Sequence, residues 1–168
     1  MNWKKSIAIV LFTFGVTGLG VAQDKPKSTA ETVTGTINGA TITIKYGSPS
    51  VREREVWGKL VPFDKVWRAG ANDATTFTTD KEITVEGKKL PAGTYTFFVI
   101  PNKSESTVIF NKVEKQWGAY EYSEEKDQLR VKVKPQATEK STEKLTYTVN
   151  KDNVTLSWEK WNLPIKVK

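Results

Sequence analysis

The sequence predicts an all-β, single-domain antiparallel β-sandwich, with a strongly twisted β-barrel as the alternative closure. Three observations carry that prediction. From Thr32 onward, apolar and polar residues alternate at period two in run after run, the signature of half-buried strands. Turn-forming clusters punctuate the runs: Asn38-Gly39, Glu86-Gly87-Lys88, Leu90-Pro91-Ala92-Gly93 and Lys151-Asp152-Asn153. Threonine and valine are abundant after the first segment, whereas alanine is scarce there. About nine short strands with frequent turns suit a sandwich built in one domain, and a chain of 168 residues is about one domain long.

The first strand pair is expected on either side of Asn38-Gly39. Val33, Gly35 and Ile37 precede the turn, and Ile42, Ile44 and Tyr46 follow it. A type I′ turn needs positive φ at both central residues, which Asn-Gly supplies. A short strand over Thr75–Thr79 follows, then Ile83 and Val85 leading into the turn at Glu86. Thr94–Ile100 is apolar on both faces, which predicts a central strand covered on both sides. Further strands are expected at Thr107–Phe110, Leu129–Val133, Leu145–Val149 and Val154–Trp158, with a final edge strand at Ile165–Val167. Two stretches do not alternate. In Val51–Gly70 the spacing of Leu60, Val61, Phe63, Val66 and Trp67 predicts one short helical turn near 60–67, limited by Pro62. The other is Val113–Glu125, which holds Trp117-Gly118 and two tyrosines.

Met1–Ala22 reads as a secretory signal peptide. Lys4 and Lys5 give a basic start, Ile7–Phe14 an apolar centre, and Gly20-Val21-Ala22 small residues for cleavage after Ala22. Residues 23–31 are polar and are expected to be a disordered leader, with the β domain spanning 32–168. The expected location is therefore the periplasm or the exterior, with no transmembrane segment in the mature chain.

Composition removes several function classes. The chain has no cysteine and no histidine, which excludes disulfides, cysteine nucleophiles, histidine bases and zinc sites built from Cys and His. The net charge is +7, but the lysines are scattered rather than blocked, so nucleic acid is not an expected partner. No motif asks for a metal or organic cofactor. A carboxylate-dependent hydrolase rests only on the neighbouring acids Asp64, Asp73, Asp80 and Glu82.

The densest chemistry lies in Val56–Asp73. Arg68 has the forked guanidinium suited to carboxylate or phosphate. Asn72 and Asp73 can hydrogen-bond polar ligand groups, and Trp57 and Trp67 can stack on a ligand. The same residues also read as structure, with Arg68 paired to Asp73 or Asp64 and the tryptophans plugging the sandwich. Arg52-Glu53-Arg54-Glu55 reads either as an exposed, self-paired edge or as a turn that brings Arg54 in beside Arg68. Trp117 joins Trp57 and Trp67 as a candidate sugar-stacking surface, while Trp158 and Trp161 are expected to close the C-terminal end.

Several blocks together resemble a known family. They are Tyr46–Val51, Arg54 with Val56-Trp57-Gly58, Leu60–Phe63, the Trp67-Arg68-Ala69-Gly70-Ala71-Asn72 signature, Leu90–Phe98 with Ile100-Pro101, Phe110-Asn111 and Trp117-Gly118. In that order they are similar to the bacterial exported family called domain of unknown function 2911, from about Gly35 to Val149. Two positions depart from its pattern: Glu53 stands where glycine is usual, and Asp73 where glutamate is usual. The resemblance implies an exported β-rich domain and no particular activity. The function expected from the residues is a non-catalytic binding module for a small polar, anionic or glycan ligand, with Arg68, Asn72, Asp73, Arg54, Trp57 and Trp67 as the ligand-binding set. The alternative is a structural or protein-interaction component of the cell envelope.

Overall fold

A computed structural model describes residues 28–168; the expected signal peptide and the expected leader up to Lys27 lie outside the described residues. Ten strands and one turn of 3-10 helix at Glu124–Lys126 make up the described chain. The strands are β1 Thr29–Ile37, β2 Ala40–Ser48, β3 Thr76–Thr79, β4 Ile83–Val85, β5 Lys88–Leu90, β6 Gly93–Ile100, β7 Ser106–Asn111, β8 Asp127–Val133, β9 Gln136–Val149 and β10 Asn153–Lys166. Strand β1 starts at Thr29, so residues 29–31 of the expected leader are strand instead.

Six strands form one antiparallel sheet in the order β1-β2-β3-β6-β7-β8. Its end strands do not pair with each other, so the sheet is open and the barrel alternative is set aside. The β9–β10 hairpin lies against one face, with the small β4–β5 hairpin beside it. Between these layers sits one core that includes Ile42, Ile44, Phe77, Phe97 and Phe110 from the large sheet and Leu145, Tyr147, Leu156 and Trp158 from the hairpin. This is the sandwich that alternation along β2, β9 and β10 predicts.

Local chemistry explains the joints. Asn38 and Gly39 have φ of 48° and 80°, as a type I′ turn requires. Strand β6 is central, and its second face is covered: Phe98 packs with Ala74 and Ile109 under Val66 and Tyr122. Pro164 lies inside β10, but pairing with β9 ends at Asn162, so its missing N–H costs no ladder bond.

The helical turn expected near 60–67 does not form. Its backbone groups bond outward rather than four residues back along the chain. The Val61 N–H donates to the Val56 carbonyl at 2.8 Å, and the Asp64 N–H to the Pro101 carbonyl at 2.9 Å. Trp67 exchanges hydrogen bonds with Val99 at 2.8 and 2.9 Å, tying the segment to β6. Asp64, at φ 59°, is left-handed, which no right-handed helix accommodates.

Candidate functional site

The segment from Trp67 to Asn72 crosses closely over β2. Adding a Cβ to Gly47 would place it 2.1 Å from the Ala71 carbonyl oxygen, and one on Gly70 would lie 2.9 Å from the Gly47 oxygen. Glycine at both positions allows this backbone contact, and the Ala71 N–H donates to the Gly47 carbonyl at 3.1 Å. Ala69 and Asn72 take left-handed φ of 53° and 63°. Two buried hydroxyls hold that shape: Thr75 Oγ1 donates to the Ala69 carbonyl at 3.0 Å, and the Tyr147 hydroxyl to the same oxygen at 2.7 Å. Burial pushes the Tyr147 pKa well above the ordinary tyrosine value, with the neighbouring Thr75 hydroxyl opposing the shift and Tyr46 adding to it. Tyr147 therefore stays a neutral donor at physiological pH.

On one side of this crossing is a cleft of about 230 Å³, lined by Arg52, Arg54, Arg68, Trp67, Leu60 and Trp158 among others. No carboxylate is among its lining residues. The two arginines singled out in the sequence thus meet here, joined by Arg52. Arg54 is oriented by its own loop: Nε donates to the Val51 carbonyl at 3.0 Å and Nη2 to the Ser50 carbonyl at 2.6 Å. Those acceptors are neutral carbonyls. The self-pairing expected of Arg54 with its glutamate neighbours is absent among the described residues.

Arg68 is partly buried, and its Nε is fully buried with no acceptor among the described residues. It forms neither of the bridges considered from the sequence. Asp64 instead accepts from Asn102 Nδ2 at 2.8 Å, and Asp73 is exposed on the far side of the crossing. Beyond Arg68, its Nη1 lies 3.6 Å from the Cβ position on Gly118, so the Trp-Arg block and the Trp117-Gly118 pair converge. The indole N–H of Trp158, a residue lining the same cleft, is also buried without a protein acceptor. The cleft is thus lined by three arginines and by no carboxylate side chain.

The remaining candidates lie elsewhere. Asn72 and Asp73 line a separate, larger groove on the other side of Ala71. Trp57 stacks on Trp161 at 4.6 Å and meets Trp67 edge-on at 5.7 Å, while Trp67 stacks on Trp158 at 5.9 Å. Trp57 is therefore wedged in an aromatic cluster, whereas Trp67 belongs to that cluster and also walls the arginine cleft. Trp158 is a core residue, as a plug would be. The four acids do not form one cluster: Asp80 accepts the Thr41 N–H at 2.7 Å and Glu82 pairs with Lys89 at 2.9 Å, apart from the anchors of Asp64 and Asp73. Among the described residues no group of three or more His, Cys, Asp or Glu side chains is placed to hold a metal ion. Arg52 was hidden in the sequence by its charge-alternating neighbours. The signal for it is structural: Arg52 and Glu53 are both left-handed, at φ 50° and 57°, and turn that segment over the cleft.

A family model described as protein of unknown function (DUF2911) matches residues 28–167. The chain belongs to this family. The match takes in the whole sandwich, both sides of the crossing and the Trp117 loop. No curated protein matches the DUF2911 chain, and no solved structure does. Glu53 in this DUF2911 chain takes a left-handed φ of 57°, a conformation that glycine adopts without steric cost.

Proposed function

We propose that the domain is a non-catalytic binding module for a small oxyanion, or for the anionic end group of a larger molecule, seated in the arginine cleft. One observation carries this reading. Arg68 holds a buried Nε that has no acceptor among the described residues, in a cleft lined by three arginines and by no carboxylate side chain. A buried charge is ordinarily paired, so an unpaired one at a cleft wall is a site awaiting an anion. The guanidinium fork matches a carboxylate, phosphate or sulfate. At about 230 Å³ the cleft is smaller than the roughly 300–1,000 Å³ of sites for drug-sized ligands, which favours a small ion or a terminal group.

The proposal includes export. It is supported by the basic start at Lys4-Lys5, the apolar run Ile7–Phe14 and the small residues ending at Ala22. The binding test is a thermal-shift panel of phosphate, sulfate, acetate and citrate on wild type and Arg68→Met. An anion at ~100 times its dissociation constant adds about 2.7 kcal/mol and raises the midpoint by several degrees. The reading predicts that rise in wild type and its loss in Arg68→Met. It fails if no oxyanion stabilises wild type, or if the variant responds equally.

A further inference from the structure

Across the Ala71 crossing lies a groove of about 790 Å³ on the outer face of the large sheet. Ala71 is the one residue lining both it and the arginine cleft. Threonine hydroxyls supply much of its floor. Thr34, Thr43, Thr78 and Thr94 stand directly opposite one another on β1, β2, β3 and β6. Their hydroxyls bond in pairs, Thr34 with Thr43 at 3.1 Å and Thr78 with Thr94 at 3.0 Å. Thr76, Thr78 and Thr94 line the groove itself.

One wall is Trp117, which is 62% exposed. Its backbone is nonetheless fixed. Asp73 forms a bridge with Trp117, the Ala74 N–H donates to the Gln116 carbonyl at 2.9 Å, and Gln116 is buried. The fold thus holds an indole in solvent beside a row of hydroxyls. The charged lining is mixed, with Lys45 and Lys115 against Glu31, Asp73 and Glu114.

We propose that this groove binds a neutral oligosaccharide, with one pyranose ring stacked on Trp117. The C–H face of a pyranose is weakly positive and matches the negative face of the indole. Sugar hydroxyls both donate and accept, as do the threonine hydroxyls, and they suit a wall that mixes carboxylates with ammonium groups. Lining of both signs gives a polyanion no net attraction. A peptide strand is also poorly served, because the groove lies over the sheet's face, where the backbone groups of β2, β3 and β6 are used within the sheet. The proposal is independent of the anion reading and can fail separately.

The test is calorimetric titration of the purified protein with neutral hexaoses of β-1,4-glucan, β-1,3-glucan, β-1,4-xylan, β-1,4-mannan and α-1,4-glucan. At least one is expected to bind. Trp117→Ala is expected to weaken that binding at least ~10-fold, a change of about 1.4 kcal/mol. Trp117→Phe should retain most of the binding. Trp117 is largely exposed, so an unchanged unfolding midpoint verifies that the alanine variant is folded. Binding of none of the hexaoses overturns the proposal. So does binding that survives Trp117→Ala, or a Trp117→Ala effect confined to self-association measured by sedimentation.

Discussion

Replacing Arg68 by methionine is expected to stabilise the protein while abolishing its proposed ligand response. The guanidinium contributes an Nε that is fully buried and has no acceptor. A buried unsatisfied polar group costs about 1–3 kcal/mol. Arg68 as a whole is only partly buried, so solvent screening places the cost near the lower end of that range. Methionine keeps an unbranched stem and removes a positive charge from the cleft that Arg52 and Arg54 also line. The expected gain is about 1 kcal/mol, or a rise in midpoint of about 2–5 °C for a domain of this size. Urea unfolding followed by tryptophan fluorescence measures it directly, through a higher midpoint concentration at unchanged m-value. A loss of 1 kcal/mol or more would show that Arg68 is a structural strut and would refute the reasoning.

Three further predictions concern the crossing over β2 that positions Arg68. Thr75→Val and Tyr147→Phe are each expected to cost about 1 kcal/mol, but the double variant should cost about 1 kcal/mol more than their sum. Only then does the buried Ala69 carbonyl lose both hydroxyl donors, and a denaturation double-mutant cycle reads the difference. Gly47→Ala forces a Cβ against the Ala71 carbonyl and is expected to cost about 1–3 kcal/mol in stability, with weaker anion binding in the same preparation. Because folding raises the Tyr147 pKa above its unfolded value near 10.0, the stability linked to it is complete below about pH 10 and falls as pH rises further. Unfolding midpoints measured across the alkaline range should therefore decline above pH 10, and Tyr147→Phe should lessen that decline by one proton's contribution.

Where local chemistry decides the backbone, the sequence was readable. Asn38-Gly39 demands its turn, and the double-faced apolarity of Phe97, Phe98, Val99 and Ile100 marks a strand covered on both sides. Strand β9 was readable only from Leu145, because its first nine residues extend past the core and bury neither face, so no alternation appears. Bulges around Glu159 hid the continuity of β10 by breaking its register. The 60–67 segment misled because apolar spacing there reflects contacts with β6 and the core, not a helical face. The meeting of Arg54 with Arg68 was one of two open readings of a charge-alternating run. The separation of Asn72 and Asp73 from Arg68 was not legible, since it depends on left-handed Ala69 and Asn72 carrying the chain over Gly47. Neighbours in sequence thus face different clefts.

The most direct test of the anion cleft is the Arg68 Nε–H signal in a proton–nitrogen correlation spectrum during titration with phosphate or acetate. Its burial slows exchange with solvent and keeps the signal visible. An oxyanion gripping the guanidinium should move this signal progressively and saturably, with the Arg54 Nε–H moving less because its carbonyl partners remain. A signal at Arg68 that stays fixed while either anion reaches saturating concentration would contradict the account.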